Sequence, residues 1–270
     1  DTDVVSLFTG FLSSTDNIPS TFQNEDINSL LQTATHYVIG LEYDISNNLN
    51  INIEGYFKKF NQLIGLNRNK IYEDIPEFSN QLDFLKKDFM IERGDARGVD
   101  FLLKYNSKKM NIWSVYSFGI VNREDELQIY SPHYDRTHNF NFVFSYVMGK
   151  KKLWDLNLRW NYGSGFPFTQ TQAYFENLDL SDINLSDFIN VNGDLGIIYS
   201  DLNEGRLPDY HRLDLSLTKK INLKNSTFME ISLGVTNLYD RSNIFYYDRV
   251  NAVRINQLPI MPNLGFNWNF

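Results

Sequence analysis

The chain has 270 residues, no cysteine, 42% hydrophobic and 15% aromatic residues and a net charge of −8, with a mean hydropathy of −0.37. The acidic balance argues against a nucleic-acid partner, which rewards clustered Lys and Arg, and the missing cysteine removes disulfides and thiolate metal sites. No run of about 18 apolar residues exists, which excludes a membrane-spanning helix but not a β-barrel, whose alternating strands keep mean hydropathy low.

In chain order, Asp1-Thr2-Asp3-Val4-Val5 has neither a basic n-region nor an apolar h-region, so a mature chain or a piece of something longer is expected. Residues 1–33 are rich in Ser, Thr, Asn and Asp and read as an irregular outward-facing loop with a short helix near Ile27–Leu31. Alternation then starts, with Tyr37, Ile39, Leu41 and Tyr43 on one face. After Ser46-Asn47-Asn48 comes Leu49, Ile51, Ile53, Gly55 and Phe57 against Asn50, Asn52, Glu54, Tyr56 and Lys58, predicting a hairpin.

A polar connection from about Leu66 to Glu92 leads to a third strand, with Val99, Phe101, Leu103 and Tyr105 opposite Gly98, Asp100, Leu102 and Lys104. A short turn at Asn106–Lys109 precedes the fourth, Asn111 to Val121, where both faces are apolar and alternation assigns no lipid side. A medium loop, Asn122 to Tyr134, precedes His138, Phe140, Phe142, Phe144 and Tyr146, then Gly149-Lys150-Lys151, then Trp154, Leu156, Leu158, Trp160 and Tyr162. The longest connection, about Gly163 to Pro208, carries Glu176, Asp179, Asp182, Asp187, Asp194, Asp201 and Glu204. Beyond it His211, Leu213, Leu215 and Leu217, a turn at Asn222–Asn225, and Met229, Ile231, Leu233 and Val235 form another pair. A loop from Asp240 to about Ile255 leads to the closing strand, where Leu264, Phe266, Trp268 and Phe270 alternate with Asn263, Gly265, Asn267 and Asn269.

The chain thus holds nine predicted strands, and short turns alternate with long loops throughout. Outer-membrane barrels show that asymmetry, with turns on the periplasmic side and loops outside. The 16 tyrosines and 21 phenylalanines suit such a wall, since Tyr joins an apolar body to a polar tip at a water–lipid boundary. The expected fold is all-β: an antiparallel up-and-down transmembrane β-barrel, with 1–33 an irregular segment and 34–270 barrel.

Four segments resemble the carboxy-terminal barrel portion of the TonB-dependent outer-membrane transporters. They are Gly94-Asp95-Ala96-Arg97-Gly98-Val99-Asp100-Phe101-Leu102-Leu103, Tyr134-Asp135-Arg136-Thr137-His138-Asn139-Phe140, Arg206-Leu207-Pro208-Asp209-Tyr210-His211-Arg212-Leu213-Asp214-Leu215 and Val235-Thr236-Asn237-Leu238-Tyr239-Asp240-Arg241. The terminal Phe270 resembles the signal presented to the barrel-assembly machinery. The resemblance implies a barrel of about 22 strands around an amino-terminal plug, importing a scarce nutrient across the outer membrane of a Gram-negative bacterium with energy delivered through TonB. It implies no enzymatic activity and no cofactor; outer-membrane lipid, the TonB complex and a surface lipoprotein are the expected partners.

The sequence departs from the family in lacking a plug and in supplying nine strands, and an open sheet edge in lipid leaves backbone amides unsatisfied at several kcal/mol each. The expectation is therefore that the plug and earlier strands belong to a separate polypeptide, with Asp1 in an outward loop. The rival expectation is a passive channel or scaffold closed by several chains; a third, a secreted β-protein with carbohydrate-binding loops, predicts solubility without detergent.

Among candidate sites, Asp100, Lys104, Asn139, Asn141, Arg159, Asn161, Arg212, Asp214 and Glu230 fall on the polar faces, where they would contact a plug or solvate the lumen. Phe166, Phe168, Tyr174 and Tyr199 are the candidate substrate-contacting aromatics of the outer loops. Arg93-Gly94-Asp95 spells an adhesion tripeptide but opens a strand. His133, Asp135 and His138 are spaced for a metal, yet His138 falls on the aromatic face and His133 in a loop. The acidic loop Glu176–Glu204 lacks the glycine-centred spacing of a Ca²⁺ site and reads as a solvated surface. Gly163-Ser164-Gly165 precedes no helix and is no phosphate cradle, and Asn225-Ser226-Thr227 is a sequon in a turn. No nucleophilic triad or paired-carboxylate constellation stands out.

Overall fold

A computed structural model describes residues 32–73, 75–82, 85–125, 127–177, 194–223 and 227–269. Phe270, the sequon's Asn225 and Ser226, the proposed helix at Ile27–Leu31 and the acidic residues Asp179, Asp182 and Asp187 lie outside the described residues.

The described strands are β1 (Thr33–Ser46), β2 (Leu49–Leu66), β3 (Phe89–Asn106), β4 (Met110–Glu124), β5 (Ile129–Tyr130), β6 (His138–Met148), β7 (Trp154–Gly163), β8 (Pro167–Phe168), β9 (Thr171–Asn177), β10 (Asp194–Tyr199), β11 (Gly205–Arg206), β12 (Tyr210–Asn222), β13 (Phe228–Thr236), β14 (Ile244–Asp248), β15 (Val253–Asn256) and β16 (Met261–Asn269). One sheet runs in the order β1-β2-β3-β4-β6-β7-β12-β13-β16, with β5 paired to β4. Those nine strands on the path are the nine read from alternation, and they meet in chain order, an up-and-down meander.

Register explains why the alternation was legible. Ile112, Phe144, Leu158, Leu215 and Val235 form one cross-strand row, and Met110, Tyr146, Leu156, Leu217, Leu233 and Leu264 the next of the same parity. Rows of opposite parity are mainly polar or small, as in Ser145–Asn157–Ser216–Gly234–Asn263, with Trp113 opposite Val143 the apolar exception at β4 and β6. The apolar face of β4, which alternation left unassigned, is the even one, because Tyr116 faces Phe140 and Ile112 faces Phe144. The row residues of β4, β6, β7 and β12 are mostly part-exposed, and the apolar face of β16 is open where a soluble core would hide it: Leu264 is 73%, Phe266 63% and Trp268 58% accessible. A face of large rings left open to its surroundings calls for an apolar medium.

The long connections are more ordered than their composition predicts. Residues 163–208, read as one acidic loop, contain the β8–β11 pair and the β9–β10 hairpin, and the loop from 240 holds the β14–β15 hairpin, which ends at Asn256. These short strands carry Phe175, Tyr174, Tyr246 and Tyr247 without a long period-two run, which hides them from pattern reading. β3 also starts earlier than predicted, at Phe89, and β2 continues to Leu66.

By internal contacts the chain divides into two units: Asp1–Tyr37, Phe57–Ala96 and Val121–Tyr130 in one, and Val38–Tyr56, Arg97–Ile120 and Ser131–Phe270 in the other. In the first, Tyr37 stacks on Phe57 at 6.4 Å, and Glu92, 1% exposed, is the most buried charge. In the second, Tyr56 lies across two glycines: a Cβ built on Gly98 or Gly119 would stand 2.5 or 2.9 Å from its hydroxyl. The ring takes the space that two missing side chains leave on neighbouring strands.

Candidate functional site

On the polar face, register places the predicted lumen residues in adjoining rows. Asn141 pairs with Asn161 and Asn161 with Arg212, while Arg159 pairs with Asp214. Asn161 Nδ2 donates to Asn141 Oδ1, and Asn141 Nδ2 to Asn139 Oδ1 at 3.3 Å, so the three amides form a ladder. Arg212 Nη2 and Nε donate to Asp214 Oδ2 at 2.9 and 3.2 Å, and Asp214 Oδ1 accepts from the backbone N–H of Asn237 at 3.0 Å. Glu230 pairs across from Lys220 and Asn267. Asp100 is partly buried, whereas Lys104 and Arg159 are exposed.

At the loop ends of the strands the residues of three family-like segments converge. Arg206 Nη2 donates to Asp135 Oδ2 at 2.6 Å, and Asp135 is 2% exposed. Arg136 lies 4.1 Å above the Phe166 ring and 5.7 Å from that of Tyr210; its burial lowers the guanidinium pKa from its ordinary value. Asp209 accepts from Tyr162 Oη at 2.8 Å and from the Gly165 N–H at 3.1 Å, and its carbonyl accepts from Arg241 at 2.9 Å. Glycine is required at 165, where an added Cβ would strike the Leu207 carbonyl, and at 163 it leaves room for the Arg136 side chain.

Asn237 closes the same end of β13. It is wholly buried, has φ of 55°, donates to the carbonyls of Arg241 and Leu258 at 3.0 and 3.1 Å, and accepts from the Arg241 N–H at 3.0 Å. Asparagine tolerates the left-handed region and can use both ends of its amide there. Asp240 and Asn243 add bonds to Ile260 N at 2.8 Å and to both backbone groups of His211 at 3.1 and 2.9 Å.

The four loop aromatics divide. Phe166 lies under Arg136 at the loop base, and Phe168 sits in β8 beside Gly205. Tyr174 and Tyr199 meet around one residue: Tyr174 Oη donates to the Arg249 carbonyl at 2.5 Å, and the Arg249 guanidinium lies 5.0 Å from the Tyr199 ring. Tyr174 and Tyr199 are 46% and 52% exposed.

The spaced histidines do not converge. Asp135 is taken by Arg206, His138 Nδ1 lies 2.9 Å from Tyr116 Oη, and His133 packs edge-on to Tyr134. Among the described residues no three His, Asp or Glu side chains group as a metal site. Gly94 of the Arg-Gly-Asp tripeptide lies inside β3, where a Cβ would meet the Asn122 carbonyl. Sequence reasoning missed the cluster at Glu92, which accepts from Arg123 at 3.0 Å and Tyr130 at 2.8 Å and lies 3.7 Å from Arg68. Burial and the bond to Glu92 raise the Tyr130 phenol above its usual pKa.

No protein-family profile matches the chain and no curated protein does. Solved structures do. The crystal structure of the ferripyoverdine receptor of the outer membrane of Pseudomonas aeruginosa, bound to ferripyoverdine, aligns with a TM-score of 0.53 at 13% identity over 86% of this chain and 26% of its own. The unliganded ferric citrate transporter FecA aligns with a TM-score of 0.52 at 12% identity over 86% of this chain and 30% of its own. The chain therefore has the fold of a portion of the barrels of these outer-membrane receptors, antiparallel and up-and-down. It spans between about a quarter and a third of the length of the structures it matches.

Proposed function

We propose that the chain is the carboxy-terminal wall of a larger, plugged barrel of about 22 strands that imports a scarce nutrient across the outer membrane of a Gram-negative bacterium, powered through TonB. The observation that carries this reading is the pair of sheet ends. β1 and β16 each have one neighbour among the described residues, and β1 presents Ile39 at 80% and Leu41 at 66% exposure. Two such edges in lipid demand further strands, since each unpaired amide costs several kcal/mol there.

In this reading the wall does no bond chemistry. The polar rows of Asp100, Lys104, Asn139, Asn141, Arg159, Asn161, Arg212, Asp214 and Glu230 hold the plug, and the loop-base knots fix the outer hairpins. Tyr174 and Tyr199, gathered around Arg249, contact the solute, while Phe166 and Phe168 keep the loop base in shape. A surface lipoprotein caps the loops, and Phe270 is read by the assembly machinery. A ferric chelate is the first solute to try, because the two similar structures are of a ferripyoverdine receptor and a ferric citrate transporter.

The test is uptake by cells whose only copy of the whole transporter is intact or lacks 34–270. Import that needs the segment and stops when the inner-membrane proton gradient is collapsed supports the reading. Solute flux that persists unchanged after collapse overturns it in favour of a passive pore.

A further inference from the structure

The turn-side end of the sheet carries a cluster of exposed lysines. Lys108 and Lys109 lie between β3 and β4, Lys150, Lys151 and Lys152 between β6 and β7, and Lys219 near the end of β12, and all six are exposed. The segments are neighbours: the Val147 N–H donates to the Lys109 carbonyl at 2.7 Å, and the Lys220 N–H to the Leu153 carbonyl at 2.8 Å. None of these lysines makes an ion pair among the described residues. In a chain of net charge −8, such a collar runs against the overall balance.

The carboxylates at this end point the other way. Glu42 and Asp44 accept from Asn50 Nδ2 at 2.9 and 2.8 Å. Asp155 stands in the polar row with Thr218 and Ser232, and Glu230 in that of Asn267. Lys219, by contrast, pairs with Trp154 and Ile231 on the apolar face, its ammonium 4.8 Å from the Trp154 ring centroid. A cation and an indole side by side where an apolar face ends mark the depth of a lipid headgroup, reached by a stem lying along apolar surface.

We propose that this lysine collar is a docking surface for anionic phospholipid headgroups of the leaflet on the turn side, with phosphatidylglycerol and cardiolipin as the fitting class. The inference rests on the membrane-barrel reading. Phosphate is the partner because it supplies at that depth the negative charge that the protein itself turns inward. Each lysine near an anionic surface contributes about fivefold in affinity, and the attraction is screened once salt shortens the Debye length below about 10 Å.

The whole transporter, purified in neutral detergent, would be titrated with phosphatidylglycerol, cardiolipin and phosphatidylcholine of equal chain length and its adducts counted by native mass spectrometry. Anionic lipid should be retained at least about fivefold better than phosphatidylcholine, with the preference falling as salt rises. The combined variant Lys150→Gln, Lys151→Gln, Lys152→Gln, Lys219→Gln should lose that preference and the same four changed to Arg should keep it. Equal retention of the three lipids overturns the proposal, as does an unchanged preference in the Gln variant or binding to isolated peptidoglycan in place of lipid. Should the Gln variant fail to show a heat-sensitive folded band on an unheated gel, the salt series on the unaltered protein decides, a salt-independent preference counting against the proposal. A transporter that stays soluble without detergent contradicts the membrane reading itself, a separate outcome.

Discussion

Arg206 and Asp135 meet at 2.6 Å across 71 residues of sequence, and the carboxylate is 1% accessible while the guanidinium keeps 40%. The pair ties the segment before β6 to the strand that ends the longest connection. Its two halves are unequal, because the carboxylate is shut off from water and the guanidinium is partly hydrated.

Removing the cation should therefore cost more than removing the anion. Arg206→Ala takes a cation from a buried carboxylate and is expected to destabilise by about 2–3 kcal/mol, whereas Asp135→Asn leaves a partly hydrated guanidinium and costs about 1 kcal/mol. The temperature at which the folded gel band of the whole transporter is lost measures both, and an equal shift for the two contradicts the asymmetry.

Asn237 separates backbone from side-chain effects. Asn237→Gly keeps the left-handed φ of 55° but loses the bonds to Arg241 and Leu258; Asn237→Ala loses both. Glycine is expected to cost about 1–2 kcal/mol and alanine about 1 kcal/mol more, read from urea unfolding of the refolded transporter. Alanine no worse than glycine would show that the backbone conformation contributes nothing.

The glycines under Tyr56 should respond differently. An alanine at 98 meets the fixed Phe118 carbonyl as well as the Tyr56 hydroxyl, while one at 119 comes within 3 Å of that hydroxyl alone. Gly98→Ala is expected to cost about 1–3 kcal/mol. Gly119→Ala should cost less, and nothing further in a Tyr56→Phe background. The double-mutant cycle on unfolding checks this, and additivity at 119 would refute it.

The Tyr130 phenol has its folded pKa raised, first by burial and then by its bond to Glu92. The bond's contribution is thus fully present below the unfolded phenol value of about 10 and is lost as pH climbs through the folded value. Alkaline difference titration of phenolate absorbance, unaltered protein against Tyr130→Phe, should place Tyr130 above about 10. A midpoint at or below the free phenol value rules the bond out.

Long strands with strict alternation were legible in the sequence, and all nine lie on the sheet path. Where the period breaks, legibility ends. Ile53 and Phe57 are exposed and Leu63 is buried although all are odd-numbered, so burial stops following parity toward the end of β2, and the strand reads as finishing near Lys58. Phe175 and Tyr246 lie in hairpins too short for a period to emerge. The site was legible only in outline. Asp135, Arg206 and Asn237 stand in the segments that carry the family resemblance, yet nothing in a polar alternation tells a buried, paired carboxylate from a solvated one. Glu92 shows the same blindness, since its partners Arg68 and Arg123 are distant in sequence.

The most direct test of the account is mass spectrometry of the unheated, detergent-extracted complex with every polypeptide segment in it identified. The account predicts that 34–270 comes out joined to, or held with, one plug and about thirteen further strands. Recovery of this segment alone, or only as copies of itself, would contradict the importer and leave a self-assembled pore or scaffold.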